Sequence, residues 1–235
     1  MNATLQAVLW DLDGVLVDTS ALHFQAWRQA LDPLGIDYSW ETFNATFGMN
    51  NASILELLLG RPPTPEDMRS ISDTKEIAFR RIVPGAVQPL PGVLDWLQRF
   101  RTAGIAQAIA SSAPPENIDL LAAELGIRSY FTAVISGFDL PGKPAPDTFQ
   151  KAAAALNVLP SDCLVIEDAV AGIEAARRAG IRVIAVATTR TPGDLQAADL
   201  VLPGLEALLP EHILRLGLVP PIPLTGSSRA SASLA

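Results

Sequence analysis

Asp11-Leu12-Asp13-Gly14-Val15 sets two carboxylates two residues apart, directly after the apolar run Ala7-Val8-Leu9-Trp10. The apolar run is typical of a short buried strand. Asp11 and Asp13 are therefore predicted to project from the carboxyl end of a strand, where open parallel α/β sheets bind their ligands. A carboxylate in that place can ligate a hard cation or attack phosphorus, and a second carboxylate can move a proton. Because Asp-x-Asp-Gly is also ordinary turn chemistry, the pair needs support from the rest of the chain.

Three further apolar runs of strand length precede residues that suit phosphate chemistry. They are residues 106–110 before Ser111-Ser112, residues 133–135 ahead of Lys143, and residues 164–166 before Glu167-Asp168. Two more strands are predicted at residues 183–187 and 200–202, and helices at residues 117–125 and 170–179. Strands that alternate with helices indicate βαβ units. We therefore predict an α/β fold with a Rossmann-like parallel sheet and helices on both faces.

Residues 21–88 differ from the rest, because apolar residues recur there at helical spacing and no strand pattern is present. Helices are predicted at residues 21–34, 40–47, 53–59 and 66–82. We therefore predict an all-helical cap domain at residues 19–89, inserted into a core domain made of residues 1–18 and 90–215. Residues 216–235 are rich in Pro and then in Ser and Ala, a composition that predicts a disordered tail.

Length and composition exclude several classes of protein. The chain has 235 residues, of which 49% are hydrophobic, so it can bury a core of ordinary size. No apolar run approaches the roughly 18 residues that span a bilayer, and the first residues lack the basic flank and apolar core of a signal peptide. We therefore expect a cytoplasmic, monomeric protein with no membrane partner.

The formal net charge is −8, and no stretch resembles a basic stripe, so nucleic acid is not expected as a partner. An anionic substrate would have to be attracted locally, by a metal, a lysine and backbone amides. The single cysteine, Cys163, stands at the start of an apolar strand and is predicted to be buried and inert.

Together and in order, the strand-end residues resemble the four motifs of the haloacid dehalogenase superfamily of phosphotransferases. The motifs are Asp11-x-Asp13-Gly14-x-x-x-Asp18-Thr19, Ser111, Lys143-Pro144 and Glu167-Asp168-Ala-x-x-Gly172. The resemblance covers about residues 6–209 and includes a small helical cap inserted after the first motif. It implies a Mg²⁺-dependent enzyme that acts on a small phosphorylated metabolite.

The resemblance also implies a role for the acidic and basic motif residues. Asp11 is the expected nucleophile, which becomes an aspartyl-phosphate, and Asp13 is the expected acid and base. Lys143 would act as a charge clamp. Magnesium would be held by Asp11, by the backbone carbonyl of Asp13 and by Asp168, with Glu167 close by. Elementary electrostatics agrees, because a phosphate dianion that faces four carboxylates needs cations at the same point.

Residues 18–27 closely resemble the start of the cap in β-phosphoglucomutases, where a histidine stands near the hinge. The residues expected to bind the substrate or its phosphate are Ser111, Ser112, Thr19, His23, Gly48, Asn51 and Lys75. Ser111 would donate to phosphate together with the amides of the helix that follows it.

Two departures separate the chain from β-phosphoglucomutases. Asn51 stands where that group carries an arginine that clamps the distal phosphate, and Pro114-Pro115 stands where it tends to have Lys-Asn. Both changes remove donors that a mutase needs to hold a bisphosphate, although Lys75, Arg80 or Arg81 are candidate replacements. We therefore favour a phosphatase acting on a sugar phosphate through an aspartyl-phosphate, with β-phosphoglucomutase as the alternative. A dehalogenase would not need the second aspartate, and a non-catalytic binding protein would be expected to lack a motif residue, so both are remote alternatives.

Overall fold

The computed structural model describes residues 3–224. The strands are, in chain order, β1 Ala3–Thr4, β2 Ala7–Trp10, β3 Ala106–Ser111, β4 Ala133–Ser136, β5 Cys163–Glu167, β6 Arg182–Val186, β7 Leu200–Leu202 and β8 Leu218–Val219. The α-helices are α1 Ser20–Leu31, α2 Trp40–Thr46, α3 Asn51–Leu59, α4 Pro65–Asp67, α5 Thr74–Ile82, α6 Val93–Thr102, α7 Pro115–Glu124, α8 Asp147–Ala155, α9 Val170–Arg178 and α10 Pro210–Arg215.

Six strands form one parallel sheet in the order β4-β3-β2-β5-β6-β7. The first of them in the chain, β2, pairs with β3 on one side and with β5 on the other. The chain moves outward from β2 to β3 and β4 and then crosses to the other side of β2, which creates a topological switch point. The predicted α/β fold with a Rossmann-like parallel sheet is confirmed, and the carboxyl ends of β2, β3 and β5 lie side by side.

Helices cover both faces of the sheet, so its central strand is buried on both sides. Val8 and Trp10 belong to the apolar cluster that contains α6 and α7. Ala7 and Leu9, which point the other way, belong to the cluster that contains α8 and α9. This double burial explains why the run before Asp11 is apolar at every position. Cys163 lies in the second cluster and is fully buried, as predicted.

The chain between β2 and α6 is helical and contains no strand, and all of its residues are described. Ser39 caps α2 by accepting from the amide of Thr42, and Asn50 caps α3 by accepting from the amide of Ser53. The cap at Asn50 explains why α3 begins two residues before the predicted residue 53. A π-helical turn, Met68–Asp73, joins α4 to α5 and completes the predicted helix at 66–82. The limits of a separate cap domain, residues 19–89, stay a prediction.

The two ends of the described chain pair with each other. β8 runs parallel to β1, with Ala3 opposite Leu218 and Thr4 opposite Val219. The prediction of a disordered tail from residue 216 is wrong for these residues, because a backbone partner at the other end of the chain orders them. The rest of that prediction, residues 225–235, lies outside the described residues.

Candidate active site

Asp11, the first residue after β2, belongs to a buried ion-pair network. Lys143 Nζ lies 2.7 Å from Asp11 Oδ1 and 2.5 Å from Glu167 Oε1. Lys143 comes from the loop between β4 and α8, and all three residues are at most 5% exposed. Burial alone would lower the pKa of Lys143, but the charges of the two carboxylates outweigh burial and hold that pKa above its ordinary value. Lys143 is therefore a cation that bridges two strand ends.

Glu167, the last residue of β5, is held on both sides of its carboxylate. Oε1 accepts from Lys143, and Oε2 accepts from the backbone amides of Asp168 at 2.6 Å and Ala169 at 2.7 Å. A Cβ at Gly172 would overlap this carboxylate, which explains a glycine in the first turn of α9. Three donors thus hold the carboxylate of Glu167, which suits the positioning of Lys143, and one acceptor position is left on Oε1.

The described residues contain one group of acids spaced for a metal ion, formed by Asp11, Glu167 and Asp168. One carboxylate oxygen from each residue lies within 4.8 Å of the others. Burial and the charges of Glu167 and Asp11 raise the pKa of Asp168 well above its ordinary value. Burial also raises the pKa of Asp11 to about 7, against the opposing effect of Lys143. When all three carboxylates are ionised, the one lysine leaves two negative charges unmatched.

This donor set fits a small divalent cation. Mg²⁺ prefers oxygen ligands and keeps several water or substrate oxygens, so a few carboxylates at one point suffice. Asp11 and Asp168 would hold it, and its charge would match the deficit of the cluster. A Cβ at Gly14 would overlap the Asp168 carboxylate, so glycine preserves this room. The carboxylate of Asp13 is not part of the cluster, and the ligand role expected of its backbone carbonyl stays a prediction.

Asp13 faces the helical region instead. Its Oδ1 accepts from Thr19 Oγ1 at 2.5 Å and lies 3.2 Å from His23 Nε2. Burial would raise the pKa of Asp13, but these contacts outweigh burial and hold the pKa below its usual range. His23 stacks on Phe79, with ring centroids 3.9 Å apart. Burial and the charge of Lys75 lower the pKa of His23, so the neutral imidazole, as its Nε2–H tautomer, donates to Asp13.

Thr19 and His23 were expected to bind the substrate, and both contact Asp13 in the structure. The hydroxyl of Thr19 does not cap α1, because it is directed to Asp13; Asp18 accepts from the amide of Ser20 instead. The two residues therefore suit the positioning of the Asp13 carboxylate. His23 also lines the cavity described below.

Ser111 and Ser112 lie where β3 ends, beside Asp11. Ser111 is 1% exposed, and its Oγ accepts from the amide of Ala113 at 3.1 Å, which leaves its hydroxyl hydrogen for another acceptor. Ser112 Oγ donates to the carbonyl of Gly48 at 3.1 Å and so joins the sheet edge to the helical region. Its contact does not favour the phosphate-binding role expected of Ser112. Gly48 has φ +93° and would place a Cβ 3.0 Å from that of Ala169, so this tight approach needs glycine.

The helical side of the site contains Glu76, a residue that was not predicted from the sequence. Glu76 is 4% exposed; its Oε1 accepts from Asn51 at 2.6 Å and Lys75 at 2.8 Å, and its Oε2 accepts from Asn117 at 2.5 Å. Asn51 also donates to Ser72 at 2.9 Å. Both amide hydrogens of Asn51 are therefore engaged, and the phosphate-binding role expected of it is not favoured.

The three candidate replacement cations differ in position. Lys75 lines the cavity, with Nζ 5.4 Å from the ring centroids of Trp27 and of Phe79. Arg80 is half-buried and donates to Asn117 Oδ1 at 2.9 Å, and Arg81 is exposed. Of the three, Lys75 alone reaches the site.

The site encloses a cavity of about 50 Å³ between the sheet edge and the helical region. Aromatic side chains form much of its helical wall, namely Trp27, Tyr38, Phe43 and Phe47. Small-molecule pockets usually measure about 300–1,000 Å³. The cavity is smaller than that range, and two contacts join its sheet side to its helical side: Ser112 donates to the carbonyl of Gly48, and Asn117 donates to Glu76.

Known proteins resemble the chain over most of its length. The family model for haloacid dehalogenase-like hydrolases matches residues 5–180. The fructose-1-phosphate phosphatase YqaB of Escherichia coli (strain K12) is 32% identical over 180 residues, which are 76% of this chain and 95% of that protein. The protein CbbY of Rhodobacter capsulatus is 30% identical over 221 residues, 89% of this chain and 97% of that protein. A crystal structure of a β-phosphoglucomutase from Clostridium difficile matches with a TM-score of 0.82 at 27% identity and covers 91% of this chain and 97% of that chain.

Proposed function

The chain belongs to the haloacid dehalogenase-like hydrolase family, and we propose that it is a Mg²⁺-dependent phosphatase that hydrolyses a phosphate ester of a sugar. The observation that carries this proposal is the junction of Asp11, Lys143 and Glu167 at the ends of neighbouring parallel strands, with ion-pair distances of 2.5 and 2.7 Å. The similarity to the fructose-1-phosphate phosphatase of E. coli supports a sugar as the leaving group.

The proposed reaction has two displacements at phosphorus. Asp11 attacks through a carboxylate oxygen, the bond from phosphorus to the ester oxygen breaks, and protonated Asp13 gives its proton to that oxygen. Water then attacks the phosphorus of the aspartyl-phosphate and gives a proton to Asp13, and the bond from phosphorus to the Asp11 oxygen breaks. Inorganic phosphate leaves, and both aspartates return to their starting states.

Asp13 has to change protonation state between these displacements. In the substrate-free site, Thr19 and His23 hold the pKa of Asp13 low, which favours the ionised form that acts as a base in the second displacement. A phosphate dianion bound nearby raises the pKa of a carboxyl, because two like charges at close range disfavour ionisation. Substrate binding therefore favours the acid that the first displacement needs.

Positive charge at the site comes from two sources in this proposal. Lys143 engages Asp11 Oδ1 and fixes the plane of the nucleophilic carboxylate. Mg²⁺, when bound by Asp11 and Asp168, would offset the charge of the phosphate oxygens. Ser111, with a hydroxyl hydrogen to give, suits donation to the same oxygens.

A β-phosphoglucomutase is the second candidate, favoured by the similar structure from C. difficile and by Lys75 in the cavity. A mutase holds a bisphosphate at both ends while the aspartyl-phosphate survives. Here Lys75 is paired with Glu76, and the amide donors of Asn51 are in use. Water is therefore expected to reach the aspartyl-phosphate before a second sugar phosphate does, and hydrolysis is favoured.

The test is phosphate release from fructose 1-phosphate, β-glucose 1-phosphate, glucose 6-phosphate and p-nitrophenyl phosphate. We expect release with Mg²⁺, none with EDTA, and recovery when Mg²⁺ is restored. Full activity in EDTA would contradict the metal assignment. Efficient interconversion of the two glucose phosphates with negligible phosphate release would favour the mutase.

The expectations on location and partners rest on the sequence alone. No helix within residues 3–224 has the length and apolarity needed to cross a membrane. A cytoplasmic location, a monomeric state and the expectation that neither nucleic acid nor a membrane is a partner stay predictions.

A further inference from the structure

The cavity has more acidic than basic groups. Carboxylates of Asp11, Asp13 and Glu76 line it, and among the lining residues within the described part of the chain Lys75 is the one lysine or arginine. Lys143 lies behind Asp11, bonded to two carboxylates. A phosphate group at Asp11 therefore has cationic support, whereas a second phosphate on the helical side would approach Glu76.

The Glu76 carboxylate is fixed in place by three donors. They are Asn51 of α3, Lys75 of α5 and Asn117 of α7, at 2.5 to 2.8 Å. A carboxylate has about four acceptor positions, so one position on Oε2 is left for a donor from the substrate. A sugar hydroxyl can fill that position. A phosphate oxygen cannot, because it is itself an anionic acceptor.

The cations near Glu76 are committed to other groups. Lys75 forms an ion pair with Glu76 and lies over two aromatic rings, so its charge is already engaged and is not free for a second phosphate. Arg80 donates to Asn117. Burial would raise the pKa of Glu76, but the charges of Lys75 and His23 and the hydrogen bonds from Lys75 and Asn51 together outweigh burial and hold that pKa below its ordinary value. Glu76 therefore stays ionised beside an incoming ligand, and its lysine partner is already engaged.

We propose that Glu76 is a specificity-determining residue that restricts the site to monophosphate esters with a hydroxyl-bearing, uncharged leaving group and excludes sugar bisphosphates. This inference rests on the proposed phosphatase function and names its substrate class. The aromatic wall suits the C–H face of a sugar, and the remaining acceptor on Glu76 suits one of its hydroxyls. The exclusion comes from the unfavourable approach of a second dianion to a buried carboxylate.

The test compares kcat/KM for fructose 1,6-bisphosphate with kcat/KM for fructose 1-phosphate. We expect the wild type to favour the monophosphate and Glu76→Gln to raise the ratio of bisphosphate to monophosphate by about tenfold or more, because the anion is removed and Lys75 is released. The change should lie mainly in KM for the bisphosphate. Glu76→Asp keeps the charge and should keep the wild-type ratio. Glu56→Gln, the same substitution at an exposed position of α3, should leave the ratio unchanged.

The outcomes separate this inference from the proposed function. If the wild type releases no phosphate from p-nitrophenyl phosphate or any sugar phosphate, the proposed function fails and the inference falls with it. Suppose that the wild type is active and that a cooperative thermal unfolding transition shows Glu76→Gln to be folded. If that variant then leaves the ratio of bisphosphate to monophosphate kcat/KM within about twofold of the wild-type ratio, the inference alone is overturned. Should Glu76→Gln not fold, the wild-type ratio of kcat/KM values decides. A wild type that hydrolyses the bisphosphate with the same kcat/KM as the monophosphate overturns the inference.

Discussion

Replacing Lys143 with methionine would remove the cation that Asp11 and Glu167 share while keeping an unbranched side chain. Lys143 Nζ lies 2.7 Å and 2.5 Å from the two carboxylates, and its side chain is 1% exposed. Removing one partner of a buried ion pair costs about 3–5 kcal/mol, because the other charge stays buried without compensation. Lys143→Met removes two such contacts, but protonation of Asp11 or Glu167 can offset part of the added cost. We therefore expect Lys143→Met to lower the free energy of unfolding at pH 8 by about 3–5 kcal/mol.

The loss should be smaller in acid. Asp11 has an ordinary pKa of 3.8 and a folded pKa of about 7, and Lys143 is the contact that keeps the folded pKa from rising further. A carboxyl whose pKa is raised in the folded state binds more protons folded than unfolded. Its contribution therefore lowers the free energy of unfolding as pH rises from the unfolded pKa to the folded pKa. Without Lys143 the folded pKa of Asp11 rises above 7, so the range of pH over which Asp11 lowers stability extends above pH 7. The loss is therefore expected to be larger at pH 8 than at pH 5.

Urea unfolding followed by tryptophan fluorescence at pH 5 and pH 8 measures both effects. EDTA is included so that no metal replaces the lost charge. Lys151→Met, at an exposed position of α8, is the matched control and should change the free energy of unfolding by less than about 0.5 kcal/mol. A loss below about 1 kcal/mol at pH 8 would refute the account of a shared buried cation. Equal losses at the two pH values would refute the role given to Asp11.

Three further predictions follow from individual contacts. Asp13→Asn should slow hydrolysis of sugar phosphates by about 10²- to 10⁴-fold, while the first turnover of p-nitrophenyl phosphate, whose leaving group hardly needs a proton, persists in rapid mixing; equal loss of both would contradict the acid role. Gly172→Ala should lower the free energy of unfolding by about 1–3 kcal/mol, since its methyl group overlaps the Glu167 carboxylate, and an unchanged urea midpoint would contradict that close approach. Burial raises the pKa of Cys163 to about 12, so the native protein should not react with Ellman's reagent at pH 8 until urea unfolds it; rapid labelling of the native protein would disprove its burial.

The sheet was predictable because its inner strands are buried on both faces. Such strands are continuous apolar runs with sharp ends, and β2 matches the predicted residues at both ends, as does the half-buried edge strand β7. The residues that follow such runs meet at one edge of the sheet, which is why the proximity of Asp11, Lys143 and Glu167 followed from the sequence. The helix α6 was not predicted, although Val93, Trp96, Leu97 and Phe100 have helical spacing and are buried.

Features built from distant parts of the chain could not be predicted. β1 and β8 are two residues each and owe their order to pairing between chain ends, for which no local pattern exists. Glu76 is in an amphipathic helix, where a Lys-Glu pair is typical of a solvated face. Its burial depends on Asn51 and Asn117, which arrive from α3 and α7. The sequence held one indication that this charged pair is buried: Lys75, the neighbour of Glu76, shares helical spacing with the buried Ala78 and Phe79.

The chemical state of Asp11 during turnover tests the central claim most directly. The measurement is a rapid acid quench of the protein with p-nitrophenyl phosphate and Mg²⁺, followed by peptide mass spectrometry with and without borohydride, which reduces an acyl phosphate to an alcohol. We predict a phosphoryl adduct on Asp11 that forms before phosphate is released and is absent from Asp11→Asn. Phosphate release with no adduct at any time, or an adduct on another residue, would contradict Asp11 as the nucleophile.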